Sequence, residues 1–251
     1  MLVLLSCAKT MSAVSKVKVP LTTSPRFQKE AAEIALQMSQ FSVDELERLL
    51  RVNAKIAVEN YKRYQAFHAE TTPELPALLA YTGNPKDFSA EDFGYAQEHL
   101  RLTSFCYGLL RPLDVIRAYR LEGDVVLPEL GNQTLFSYWR SRLTDTFIED
   151  IRSAGGILCN LASDEMKSLF DWKRVESEVR VVTPEFHVWK NGKLATIVVY
   201  TKMSRGEMTR FILKNKIGNP EELKGFSWEG FEFDESLSDE RKLAFINGMG
   251  E

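Results

Sequence analysis

Apolar and polar positions along this chain fall into blocks whose periods predict a mixed α/β fold. Leu2 to Leu5 is a continuous apolar run, the pattern of a strand buried on both faces, and the polar cluster Ser6 to Thr10 follows it, with a lysine at position 9. Helical spacing appears from Phe27 to Met38 and again from Ser42 to Phe67, where Ser42 and Glu45 form a capping box. Leu78 to Thr82 reads as a short strand and Gly83-Asn84-Pro85 as a turn. Ser89, with Asp92 three positions on, starts a helix that runs through Tyr95, Ala96 and His99.

That helix leads into Glu98 to Gly123, where Arg101, Arg111, Arg117 and Arg120 are surrounded on several sides by apolar residues. The turn residues Tyr107-Gly108 and a proline at 112 suited to a first helical turn predict a helix-hairpin-helix shape, with its arginines half-buried. Further on, Val125 to Leu127 reads as a strand and Thr134 to Ser153 as a helix with Phe136, Trp139, Leu143, Phe147 and Ile151 as its buried stripe. Ile157 to Ser163 is a second buried strand, leading into a helix capped by Ser163. Val179 to Val182 and Glu185 to Trp189 are read as two strands, the latter paired with Leu194 to Tyr200 through an Asn191-Gly192 hairpin turn. A helix is expected from Gly206 to Lys216, and the break at Gly218-Asn219-Pro220 makes a second candidate hairpin. The fold class is therefore α/β, a single compact domain over residues 1–251 with a mixed sheet flanked by helices.

Three of these strands finish on polar clusters: Ser6 and Lys9, Asn160 and Ser163, Thr201 to Arg205. If the strands are parallel neighbours, the clusters share the carboxyl edge of the sheet, where open α/β sheets bind ligands. Helix N-termini at Ser163 and Gly206, beside Lys9, Lys202 and Arg205, give a basic, phosphate-binding cleft. Free phosphate, a nucleotide or a nucleic-acid backbone all satisfy that reading. Asp164, Glu165 and Glu229 are candidate acid/base groups without fixed spacing.

Composition narrows the class. A formal charge of −3 excludes a uniformly cationic scaffold but not a local patch. The three cysteines, Cys7, Cys106 and Cys159, lie far apart and fit a reducing cytosol, and Cys7 beside Lys9 is the one in an electropositive setting. His68, His99 and His187 lack paired ligand spacing, and no GxGxxG, GxxxxGK[ST] or GxSxG motif occurs, so neither a metal nor a cofactor is expected. The short apolar start lacks a basic n-region and no run reaches about twenty apolar residues, so a cytoplasmic location without membrane contact is expected.

Five blocks in fixed order, SCAKT, YAQEHLRLTSFCYGLLRPLDVIRAYRLE, NLASDE, SRGEMTRFILKN and GFSWEGFEFDE, resemble the YaaA peroxide-stress family over almost the full chain. The chain departs from the family pattern at Cys7, which replaces a proline, at Phe105-Cys106, which replaces glycine-leucine, at Ala118, which replaces a second proline, and at Asp124. The basic residues Lys9, Arg101, Arg111, Arg120, Lys202, Arg205 and Arg210 are kept. The resemblance implies a cytosolic, compact α/β protein with a basic cleft and a helix-hairpin-helix element. It also implies DNA binding and protection from hydrogen peroxide, including limitation of intracellular iron. The expected partner is double-stranded or distorted DNA, held through backbone phosphates by those cations and Ser163, with Tyr107 and Tyr119 as candidates for stacking on bases. A nucleotide-like small molecule in the same cleft, as ligand or as substrate of an enzyme, is the alternative. A monomer is expected.

Overall fold

The computed structural model describes residues 1–12, 14–81, 85–190 and 192–248. The chain opens with β1 (Leu2–Leu5), four buried apolar residues. Three helices follow, α1 (Gln28–Met38), α2 (Val43–Leu50) and α3 (Ala54–Ala66). The Ser42–Glu45 capping box forms, with both reciprocal bonds present. The helical spacing that follows breaks after α2 because Arg51 turns left-handed at φ 52° and Asn53 recaps the chain by accepting from the Ile56 amide at 3.0 Å.

Next come β2 (Glu74–Pro76), α4 (Ala77–Tyr81) and α5 (Ala90–His99), then β3 (Leu100–Ser104), β4 (Gly108–Leu110), β5 (Val115–Arg117), β6 (Val126–Leu127) and β7 (Gln133–Thr134). The long helix α6 (Leu135–Ser153) leads to β8 (Ile157–Leu161), the short α7 (Asp164–Lys167) and α8 (Trp172–Glu178). The chain closes with β9 (Arg180–Lys190), β10 (Lys193–Ala195), α9 (Val198–Asn215), a 3-10 turn at Pro220–Gly225, β11 (Phe231–Asp234) and β12 (Lys242–Asn247).

The main sheet runs in the order β11-β12-β9-β8-β1-β3-β4. Its five inner strands, β12, β9, β8, β1 and β3, are parallel, with β11 and β4 antiparallel at the two edges. The register sets Leu5 of β1 opposite Leu161 of β8, so these two strands end level. Helices cover the sheet, and one buried core runs from Met1 to Phe245. Among the described residues no helix is long and apolar enough to cross a membrane.

Four sequence expectations are corrected. Glu98 to Gly123 is not a helix-hairpin-helix: α5 ends at His99, Leu100 is already extended at φ −121° and ψ 138°, and β3 and β4 form a β-hairpin. Apolar residues on all sides of this segment marked two buried strand faces, not a helix among arginines. Ala77 to Tyr81 is helical where a strand was expected, since a five-residue apolar run carries no decisive period. Leu194 to Tyr200 is not one strand, because β10 stops at Ala195 and α9 starts at Val198, with Val198, Val199 and Tyr200 exposed in its first turn. The two strands read at 179–189 are a single one, β9. Asn191 of the predicted turn, and Thr82, Gly83 and Asn84, lie outside the described residues.

Gly108 shows how tightly the hairpin is fixed. It sits at φ +71°, and a Cβ there would meet the Trp139 ring at 2.7 Å, while the Trp139 indole N–H donates to the Phe105 carbonyl at 2.8 Å. Gly108→Ala combines a left-handed backbone penalty with overpacking, so urea denaturation should report a loss of about 3 kcal/mol. An unchanged unfolding midpoint would contradict the packing described.

Candidate functional site

The level ends of β1 and β8 put Ser6 beside Ser163. The Ser6 hydroxyl oxygen accepts from the Ser163 amide at 2.8 Å and its proton faces the Ser163 hydroxyl at 3.4 Å. Ser163 stands at the head of α7, but its side chain makes no capping bond. Asn160 points elsewhere: its carbonyl accepts from the Ala162 amide at 3.2 Å and shapes the strand exit. In front of Ser6 and Ser163 opens a cleft of roughly 620 Å³. Lys9 and Cys7 line it from the β1 loop, Tyr81 from α4, Glu165 and Met166 from α7, and Lys202, Met203, Arg205 and Glu207 from α9, with Trp228 closing one side.

Charge in the cleft is mixed. The Lys9 ammonium lies 2.5 Å from Glu122 and 3.9 Å from Glu165. Glu122 is buried and also faces Arg120 at 3.5 Å, so one carboxylate holds two cations. Arg120 stands behind Lys9 in a small recess with Cys7 and Tyr119. Arg205 is half-buried, and its Nε is shielded from solvent without a hydrogen-bond partner among the described residues. Burial pushes its guanidinium below the ordinary arginine value, against the pull of Asp164 and Glu185. Lys202, one turn earlier on the same helix, is exposed at the mouth.

Lys9, Ser163, Lys202 and Arg205 thus meet in one place, although Lys202 and Arg205 arrive from inside α9 and not from a strand end. Gly206 is likewise interior to α9, so it supplies no helix N-terminus. The cleft is not purely basic, because Glu165 and Glu207 stand among its cations.

Three predicted arginines lie elsewhere and are satisfied. Arg101 is buried, with its Nε 2.6 Å from Asp150 and its Nη1 donating to the carbonyls of Gln97 and Leu100. Arg111 pairs with buried Asp114 at 2.9 Å and donates to the Ser24 carbonyl. Arg210 forms a two-pronged pair with Asp87 and lies over the Phe88 ring. Stacking by Tyr107 and Tyr119 on bases is also corrected, since both are 4% exposed. The Tyr107 hydroxyl accepts from the Arg117 amide, and that of Tyr119 sits 2.6 Å from both Tyr81 and Ser104 hydroxyls.

Sequence reading did not place Tyr81, Glu122, Met166, Met203 or Trp228 at the site. Trp228 carried a visible signal, an aromatic inside an acidic tail, while Tyr81 was hidden in a short apolar run. Cys7 lines the cleft, yet burial pushes its thiol up to about 12, helped by Glu165 and opposed by Thr103 and Lys9. Burial likewise holds Cys159 at about 12 and Cys106 higher still. The three thiols stay protonated at neutral pH and are poor nucleophiles.

A UPF0246 protein of Bacteroides thetaiotaomicron is 97% identical with both chains fully covered, and one of Bacteroides fragilis is 76% identical over the same extent. A more distant UPF0246 protein, from Saccharophagus degradans, keeps 33% identity across 98% of each chain. The sequence model described as peroxide stress protein YaaA matches residues 1–237, and the chain belongs to that family.

Proposed function

We propose that this protein acts in the peroxide stress response by binding DNA through backbone phosphates, with little sequence preference, at the strand-end cleft. The convergence of Lys9, Lys202 and Arg205 on one opening carries the reading. A phosphate oxygen would accept charge-assisted hydrogen bonds from these cations. Phosphate contacts position a nucleic acid without reading its bases.

A second reading, an enzyme acting on a nucleotide or modified base, is favoured by the cleft's size, which suits one small molecule, and by the Lys9–Glu122–Glu165 cluster of acid/base groups. A thermal-shift screen with nucleotides and nucleosides separates the two. Stabilisation of about 2.7 kcal/mol at a hundredfold excess over Kd, followed by turnover, would favour the enzyme.

The DNA reading is tested by fluorescence anisotropy against salt. With two or three phosphates neutralised, log K should fall with log salt at a slope of roughly −1 to −3, and Arg205→Ala and Lys202→Ala should each weaken all sequences alike and flatten the slope by about one. A slope near zero, or wild-type binding by both variants, would sink it. Arg101→Ala should lower thermal stability without changing affinity per folded molecule.

Thiol chemistry is left out of this reading. The native protein should resist alkylation and millimolar peroxide at pH 8, and all three cysteines should react once it is unfolded. Between the ordinary value of 9.0 and about 12, native Cys7 keeps a proton that the unfolded chain loses. Stability present below pH 9 should therefore decline as pH rises, by up to about 1.4 kcal/mol per unit for each such thiol. Rapid labelling of the folded protein at pH 8 would overturn this.

A further inference from the structure

Phosphate recognition uses only part of the cleft. Lys9, Lys202 and Arg205 line it together with the apolar side chains Met166, Met203 and Trp228. A lone phosphate would leave most of roughly 620 Å³ unfilled and the apolar wall bare.

Trp228 is held as a platform in advance of any ligand. Its amide donates to the Phe231 carbonyl at 3.2 Å and its carbonyl accepts from the Phe231 amide at 2.8 Å. The two residues between them, Glu229 and Gly230, both have positive φ, 49° and 79°, which is the backbone of a tight type I′ hairpin turn. A glutamate in that conformation is uncommon, and the Asn247 side chain pins it by donating to the Glu229 carbonyl at 2.7 Å. The Trp228 and Phe231 rings lie nearly parallel, 8° apart with centroids at 6.3 Å. The indole is thus half-buried, backed by Phe231, and built into the cleft wall. An aromatic ring in the same cleft as three cations matches a ligand that carries a planar ring at one end and a phosphate at the other.

We propose that the cleft accepts a single nucleotide unit, its base against the Trp228 indole and its phosphate among Lys9, Lys202 and Arg205. The proposal rests on the phosphate-binding reading above and adds the base pocket to it. The unit comes either as a free mononucleotide or as an unpaired nucleotide of a DNA strand, which share this chemistry.

Calorimetry with inorganic phosphate, ribose 5-phosphate, AMP and TMP tests it on the wild-type protein. Both mononucleotides should bind about tenfold or more tighter than ribose 5-phosphate. Trp228→Ala should erase that advantage and leave ribose 5-phosphate unchanged, Trp228→Phe should keep most of it, and Arg205→Ala should weaken ribose 5-phosphate and mononucleotides alike. Equal affinities for ribose 5-phosphate and mononucleotides would overturn the base pocket while leaving phosphate binding intact. Absence of binding by every phosphate-bearing probe would overturn the phosphate reading and this proposal with it. Displacement of AMP by a short single-stranded oligonucleotide would support the strand as the source, and failure to displace it would support the free nucleotide.

Discussion

The burial of β1 is the constraint from which the rest of the structure follows. Its four residues are covered by parallel neighbours on both sides and by helices above and below, so the strand cannot shift without exposing its whole apolar set. Because β8 pairs with it in a register that ends Leu161 opposite Leu5, the first polar residues after each strand have to leave the sheet at one edge. Ser6 and Ser163 meet there as a consequence of hydrophobic pairing several residues away. The site is thus positioned by the paired backbone of β1 and β8.

The same packing decides which cations can act on a ligand. A guanidinium taken into the protein needs its donors filled, and Arg101 and Arg111 fill theirs with Asp150, Asp114 and backbone carbonyls. Arg210 is committed to Asp87 on the outside of α9. Such pairs fasten one element to another: Arg101 ties β3 to α6, and Asp92 ties α5 to α9 through Lys214 at 2.9 Å. Burial alone would raise the Asp92 carboxyl, but hydrogen bonds from Lys214 and from the Ser89 amide and hydroxyl carry it well below the ordinary value. Among the described residues the Arg205 side chain has none of these hydrogen-bonded commitments, and Arg120 has only Glu122.

The elements legible in the sequence were those whose local chemistry agrees with their tertiary role. β1 and β8 read as buried strands because nothing polar interrupts their apolar cores apart from Asn160, and Ser42 and Ser89 announced α2 and α5 because both capping boxes are local. The segment from Glu98 to Gly123 was misread because Leu100, Leu102, Leu109 and Leu110 point to both sides of a sheet, and that arrangement copies the all-round apolarity of a buried helix. Lys9, Ser163, Lys202 and Arg205 could be found because polar residues stood out after apolar runs. Trp228 and Tyr81 reach the cleft, and Glu122 reaches Lys9, through long-range packing, and no spacing along the chain encodes that.

Charge balance in the cleft argues for a small ligand footprint. Lys9 and Arg120 share the single carboxylate of Glu122, and the cleft that Lys9, Lys202 and Arg205 line also holds Glu165 and Glu207. Asp164 and Glu185 pull on Arg205 as well, so the excess of positive charge at the cleft is modest. The carboxylates also keep Lys9 from swinging freely, so its charge is fixed when a ligand arrives and little ordering entropy remains to be lost. A half-buried arginine, a lysine held by a buried carboxylate and an indole locked by a tight turn are all set before binding. That preorganisation is what a site needs in order to hold one nucleotide-sized anion with so modest an excess of charge.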